Sequence, residues 1–156
     1  MIGVWLLVHF LGFTLWLGGG IATMVSGVTA KRFAPAERLK AYKVIGAVQR
    51  LLVAPGAVGV VVSGIMLLLS GPYMHSASGG EMPVWLNAMM GAGFLGAIAA
   101  VTVSMPTATR LARLELDARG ELPASFQGLR KRQIIAATIA GSLGLIALFA
   151  ATLGRY

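Results

Sequence analysis

The segment Leu6–Gly20, with the sequence LLVHFLGFTLWLGGG, decides the fold of this chain. It belongs to an apolar block near Ile2–Ala30, and similar blocks follow near Val44–Ser70, Val84–Met105 and Gln133–Gly154. A helix needs about 20 apolar residues to cross a bilayer, so each block is long enough. We therefore predict an all-α polytopic membrane protein, a bundle of four transmembrane helices that forms a single domain over residues 1–156.

The composition agrees with this fold and excludes several chemistries. Hydrophobic residues make up 57% of the 156 residues and charged residues only 12%, whereas soluble proteins average about 25% charged residues. Because no basic residue precedes Lys31, we expect the first block to be a permanent helix rather than a secretion signal. The absence of cysteine excludes disulfides, thiolate metal sites and thiol catalysis.

The positive charge is concentrated in two of the connections between blocks. The net charge is +8. The basic residues that flank the first and third connections are Lys31, Arg32, Arg38, Lys40, Lys43 and Arg50, then Arg110, Arg113, Arg119, Arg130, Lys131 and Arg132. Short basic loops stay in the cytoplasm, so we predict a multi-pass protein of the bacterial inner membrane, with both termini and the 71–83 loop outside. The charge then sets orientation and attracts membrane lipids, and we predict no nucleic-acid partner.

Prolines and glycines mark the connections. Pro35 stands where a helix can start, and we expect a helical run-in to the second span. The third connection is predicted to extend the third span, to stop at Gly120 and to restart at Pro123. Leu111, Leu114 and the charged residues among them suit either a solvated helical hairpin or a helix at the lipid surface. Pro55 lies inside the second span and is expected to bend it.

His9 is the most unusual residue of the first block. On helical spacing it shares a face with Gly12 and Trp16, so we expect the imidazole to point inward, as polar groups in membranes usually do. It would lie about 10 Å below the outer boundary, at a rise of about 1.5 Å per residue. The residues predicted in the same outer half are Met66, Met74, His75, Met82, Met89 and Met90. Imidazole and thioether groups ligate haem iron, and thioethers favour Cu(I).

Three functional hypotheses follow from this arrangement. In the first, the protein is a redox or electron-transfer module that binds haem b or a metal. His9 is one axial ligand, and the second is Met90 or Met89, which are preferred to Met66. Trp16 and Gly12 line the cofactor. In the second, His9, Met74, His75 and Met82 handle copper. In the third, His9 only makes a packing hydrogen bond, the methionines fill gaps, and the protein is an accessory subunit of a larger membrane complex or a homo-oligomer.

Motifs for hydrolysis or phosphoryl transfer are absent from the sequence. It has no P-loop, no HExxH motif and no serine-hydrolase elbow, and its predicted spans contain no Asp or Glu for an acidic proton relay. Whether the protein is an enzyme stays open on the sequence.

The first helix resembles that of a loose group of small bacterial membrane proteins. VHFLGFTLWLGGG carries a histidine, a glycine three residues later, then a tryptophan and a glycine pair; these are His9, Gly12, Trp16, Gly18 and Gly19. The pattern is similar to copper resistance protein D-type domains, to four-helix integral membrane proteins of unknown function and, more distantly, to the HemJ-type membrane protoporphyrinogen oxidase. RLLVAPGAVGVVVSGIMLLLSG and VWLNAMMGAG resemble the second and third helices of the unknown-function members.

The resemblance carries two expectations about function. The oxidase relatives imply that the first-helix histidine, here His9, holds haem. The copper-resistance relatives imply movement of copper across the membrane.

Overall fold

Four long helices make up most of the computed structural model, which describes residues 2–70 and 82–154. They are α1 (Ile2–Arg32), α2 (Pro35–Ser70), α3 (Val84–Ala112) and α4 (Ser125–Leu153). Each is long and apolar enough to cross a membrane. The predicted all-α architecture with four membrane-spanning helices is confirmed.

The helices pack in chain order around the bundle. α1 lies along α2 and α3 lies along α4, whereas direct contacts between α1 and α4 are few. α1 and α3 make no extended contact, so they lie diagonally across the bundle. We call the end that carries the two basic connections the basic end, and the end where α1 begins and α4 finishes the terminal end.

The helices extend beyond the predicted spans at the basic end. α2 begins at Pro35, with Glu37 in its first turn, as the predicted run-in requires. α3 continues to Ala112, and the chain then turns at Gly120, which has a φ of 77°. Of the two alternatives for this connection, the one that placed Leu111 at the lipid surface was wrong. This side chain is completely buried in an apolar cluster with Ile45 and Phe126, because the end of α3 packs against α2 and α4 at the basic end.

Two helices contain a π-helical segment directly before a proline. In α2 the segment is Gln49–Val53, and Pro55 follows. In α3 it is Ala99–Ser104, and Pro106 follows. Proline has no N–H, and its ring clashes with the carbonyl four residues earlier. The register therefore shifts to bonds five residues apart, such as that from Ala54 N–H to the Gln49 carbonyl.

Two apolar cores stabilise the bundle. The central core is built around Trp16, Val53, Val60 and Ala100. The core at the basic end contains Ala30, Leu39, Tyr42, Ile45, Leu111 and Phe126. A layer of buried polar side chains, described below, lies between them along the helices.

Glycine allows α1 and α2 to approach closely. A Cβ atom added to Gly12 would lie 2.9 Å from the Gly56 carbonyl oxygen, and one added to Gly56 would lie 2.7 Å from the Gly12 oxygen. Both contacts are with backbone, which cannot move aside cheaply. The face of α1 that carries Gly12 is thus filled by α2.

Candidate functional site

A cavity of ≈ 460 Å³ lies between α1 and α4, two helices that make few direct contacts with each other. It runs from Trp16 and Leu145 to Lys31 and Arg130 at the basic end. The exposed apolar side chains of Ile21, Met24 and Ile134 line it, so it opens on the apolar outer surface of the bundle. We call this cavity the α1–α4 groove.

Polar side chains from all four helices form one hydrogen-bonded group on the inner wall of the groove. Thr23 comes from α1, Gln49 from α2, Ser104 from α3 and Gln133 from α4, and all four are buried. Gln49 Nε2 donates to Thr23 Oγ1 at 3.3 Å, Ser104 Oγ donates to Gln49 Oε1 at 3.3 Å, and Gln133 Nε2 donates to Ser104 Oγ at 2.9 Å. We call this group the polar network.

A main-chain acceptor fixes the direction of every hydrogen bond in the polar network. Thr23 Oγ1 donates its single hydrogen to the Gly20 carbonyl at 2.8 Å. It can therefore only accept from Gln49, which must present its NH₂ group and leave Oε1 for the Ser104 hydroxyl. Ser104 has then used its hydrogen, so Gln133 must also present NH₂. The free end of the polar network is consequently the Gln133 carbonyl.

The Gln133 carbonyl oxygen has no hydrogen-bond partner within residues 2–70 and 82–154. The residue is only 6% exposed and lines the groove. Leaving a buried acceptor without a donor costs about 1–3 kcal/mol, and buried polar groups in proteins are nearly always paired. A buried, unpaired carbonyl oxygen beside a cavity therefore indicates a position where a hydrogen-bond donor from another molecule is expected.

Two cations stand at the basic end of the groove. Lys31 and Arg130 both line it, and Arg130 Nε donates to Tyr42 Oη at 3.0 Å. Positive charge at this position favours a neutral or negatively charged ligand over a cation.

Both π-helical segments contribute to the polar network. Gln49 is the first residue of one segment and Ser104 the last residue of the other. π-Helical turns are rare and occur frequently at functional sites. Here they place the two central members of the polar network between α1 and α4.

His9 lies closer to the terminal end and faces α2. Its Nδ1 is 3.1 Å from the Val60 carbonyl oxygen and 3.0 Å from Ser63 Oγ. The Val60 carbonyl can only accept, and the Ser63 hydroxyl donates its hydrogen to the Gly59 carbonyl, so the tautomer that satisfies both contacts carries the proton on Nδ1 and leaves the lone pair on Nε2. Nε2 has no hydrogen-bond partner in the described part of the chain.

The other residues predicted around His9 are dispersed. Trp16 is only 1% exposed and lies between Gly96 of α3 and Gly144 of α4. Met66 is half-buried on α2, three residues beyond Ser63. Met89 is half-buried and Met90 exposed on α3, the helix diagonal to α1. Among the described residues, His9 forms its hydrogen bonds and ring contact with Val60, Ser63 and Phe13 and none with these methionines.

The predicted copper site falls largely outside what the structure covers. Met74 and His75 lie outside the described residues, and Met82, which is half-buried, is described. In the two described ranges, no group of three or more His, Asp or Glu residues is placed to hold a metal ion.

The polar network was not predicted from the sequence. None of its four members, Thr23, Gln49, Ser104 and Gln133, was among the predicted site residues. The available signal was two amides, Gln49 and Gln133, next to long apolar segments, because intramembrane polar side chains pair with one another. Comparison with family models, with curated proteins and with solved structures found no match for this chain.

Proposed function

We propose that this protein binds a single-chain amphipathic molecule of the membrane in the α1–α4 groove. The observation that carries the proposal is the coincidence of an apolar groove with the buried, unpaired carbonyl of Gln133. The apolar walls would hold a hydrocarbon tail, and the polar network would receive the polar group. In the orientation favoured by the basic connections, the basic end faces the cytoplasm of a bacterial inner membrane.

The dimensions of the groove suit such a ligand. Gly144 beside Trp16 is 11 residues from Gln133 on the same helix, which corresponds to about 16 Å at a rise of about 1.5 Å per residue. A dodecyl chain has a comparable length. A ligand with its polar group at Gln133 would therefore bring its tail to the indole of Trp16.

Quenching of Trp16 fluorescence tests the proposal. The other two tryptophans are replaced in a Trp5→Phe, Trp85→Phe background, and 12-bromododecanol is titrated into detergent-purified protein. We expect saturable quenching, because the bromine atom would reach the indole. Gly20→Leu and Gly141→Leu should weaken binding by about tenfold or more, that is about 1.4 kcal/mol. Both glycines line the groove, and an added Cβ at either position would meet no protein atom within 4 Å, so a larger side chain would occupy ligand space.

Gly18→Leu is the matched control. Gly18 also has nothing within 4 Å of an added Cβ, but it is exposed and does not line the groove. Binding should be unchanged in this variant. Quenching that does not saturate, or that is equal in all three variants, would contradict the proposal.

Haem or metal binding at His9 is the second candidate function. Metal-ligating histidines commonly donate their other ring N–H to a carbonyl, and His9 donates its Nδ1–H to the Val60 carbonyl in this way. The filled face at Gly12 restricts a flat cofactor to the side of the ring away from α2. Nε2 would be the ligating atom.

An absorption titration tests this second candidate. Haem b added to the purified protein should give a Soret band, and His9→Ala should abolish this band. Ser63→Ala is the control and should retain the band, because the Val60 carbonyl still orients the imidazole. Identical spectra for the wild type and His9→Ala would eliminate haem ligation by His9.

A further inference from the structure

We infer that the ligand of the α1–α4 groove carries a hydrogen-bond donor, a hydroxyl or N–H group, that Oε1 of Gln133 receives. The inference rests on the proposed function and adds the chemistry of the recognised group. It follows from the direction of the hydrogen bonds in the polar network. This direction does not depend on the size or apolarity of the groove.

The first step is that the polar network can end only in an acceptor. The Gly20 carbonyl takes the Thr23 hydroxyl proton, and each further bond is then determined in turn as far as Gln133. Reversing the Gln133 amide would set its carbonyl oxygen against the Ser104 oxygen, whose only hydrogen already goes to Gln49. Two acceptors would then face each other without a proton.

The second step is that an acceptor selects among ligands of equal apolarity. A site built to accept a hydrogen bond discriminates against an analogue that lacks the donor, because the buried acceptor is then left unpaired. Ketones, ethers and unsubstituted acyl chains offer no donor. A phenolic hydroxyl, as in a hydroquinone, and an alcohol, as in a monoacylglycerol, both do.

The third step concerns charge at the same end of the groove. Lys31 and Arg130 line the basic end of the groove, and Arg130 is three residues from Gln133 on α4, so a donor that is also a cation, such as an ammonium group, would meet like charge. The recognised group is therefore a neutral donor. This excludes long-chain amines, although they too could donate to Oε1.

A pair of probes that differ only in the donor tests the inference. In the same tryptophan background, 12-bromododecanol is compared with 12-bromododecyl methyl ether, which keeps the chain and the oxygen but has no O–H. We expect the alcohol to bind about tenfold more tightly or better. Gln133→Met should remove this preference, and Gln127→Met, an exposed glutamine of the same helix, should leave it intact.

The outcomes separate this inference from the proposed function. If neither probe quenches Trp16 saturably, the proposed function fails. If both probes bind equally and Gly20→Leu weakens both, the groove binds amphiphiles but donor recognition is overturned, and solvent satisfies Oε1 instead.

Competition identifies the source of the donor. Displacement of the bromoalcohol by a decyl hydroquinone alone assigns a phenol, displacement by a monoacylglycerol alone assigns a lipid alcohol, and displacement by both leaves the shared hydroxyl as the recognised group. Displacement by neither overturns the inference.

Discussion

Gln49 and Gln133 are buried amides of the same polar network, but their hydrogen-bond states differ. Gln49 is 1% exposed and uses both ends of its amide. Gln133 uses only its NH₂ group. Gln49 therefore contributes to stability, whereas Gln133 carries an unsatisfied acceptor at the groove. An unsatisfied buried group of this kind is typical of sites where function is retained at the expense of stability.

Replacing these two amides should have unequal effects. Gln49→Leu leaves the Ser104 hydroxyl without its acceptor and should lower the free energy of unfolding by about 1–3 kcal/mol. Gln133→Met removes the unpaired oxygen and should cost less than about 1 kcal/mol. The free energy of unfolding of both variants can be measured in mixed micelles by increasing the fraction of denaturing detergent. Equal losses would show that the Gln133 oxygen is paired in the folded protein.

The Gly12–Gly56 contact gives a second prediction at the scale of single residues. An added Cβ on Gly56 would lie 2.7 Å from both the Gly12 carbonyl oxygen and the Trp16 nitrogen. Gly56→Ala should therefore destabilise the protein by about 1–3 kcal/mol through overpacking. Gly18→Ala, with open space around its Cβ, is the control and should be neutral or slightly stabilising. A neutral Gly56→Ala would mean that α1 and α2 are further apart.

At the scale of helices, the sequence was sufficient to locate the four spans but not their internal irregularities. Continuous apolar blocks identify a membrane helix because length and hydropathy are local properties. The π-helical segments depend on which carbonyls before a proline accept backbone hydrogen bonds, and this cannot be read from the sequence. From the sequence, Pro55 predicted only a bend. The helices exceed the predicted spans because Leu39, Ile45 and Leu111 are buried by a second core at the basic end.

The polar network was missed for a related reason. Which polar residues of different helices meet depends on the rotation and register of each helix. A single sequence defines neither. The position of Gln49 also depends on the π-helical segment that it begins.

Removing Pro55 should alter the groove without unfolding the bundle. In Pro55→Ala the new N–H can bond to the Leu51 carbonyl in α-helical register. Gln49 would then rotate by about 100° relative to the residues that follow, one residue's share of a 3.6-residue turn, and leave Thr23 and Ser104. We expect weaker 12-bromododecanol binding with unchanged helicity by circular dichroism. Pro35→Ala, at a helix start, is the control; unchanged binding in Pro55→Ala would contradict this role for the proline.

At the scale of the whole molecule, the arrangement of the helices determines where the groove lies. α1 pairs with α2, α3 pairs with α4, and the small residues between α3 and α4 hold that second pair together. The scarce contact between α1 and α4 leaves space for the groove. A different order of helices around the bundle would separate the members of the polar network.

The pairing of α3 with α4 can be tested by cross-linking, since the native chain has no cysteine. A Cβ on Gly93 would lie 3.8 Å from the Ala147 Cβ, which matches the usual separation in a disulfide. Gly93→Cys with Ala147→Cys should oxidise to an intramolecular disulfide, detected by loss of maleimide labelling. Gly91→Cys with Ala147→Cys should not, because Gly91 has open space around it. Purely intermolecular cross-links in the first pair would refute the proposed arrangement.

Photo-cross-linking gives the most direct test of the central claim, that the α1–α4 groove binds an amphiphile. A dodecanol that bears a diazirine is bound, irradiated and located by mass spectrometry of the digested protein. Our account predicts adducts concentrated on groove residues such as Ile21, Met24 and Ile134. Adducts spread equally over apolar side chains outside the groove, such as Phe10, Phe94 and Phe149, would contradict it.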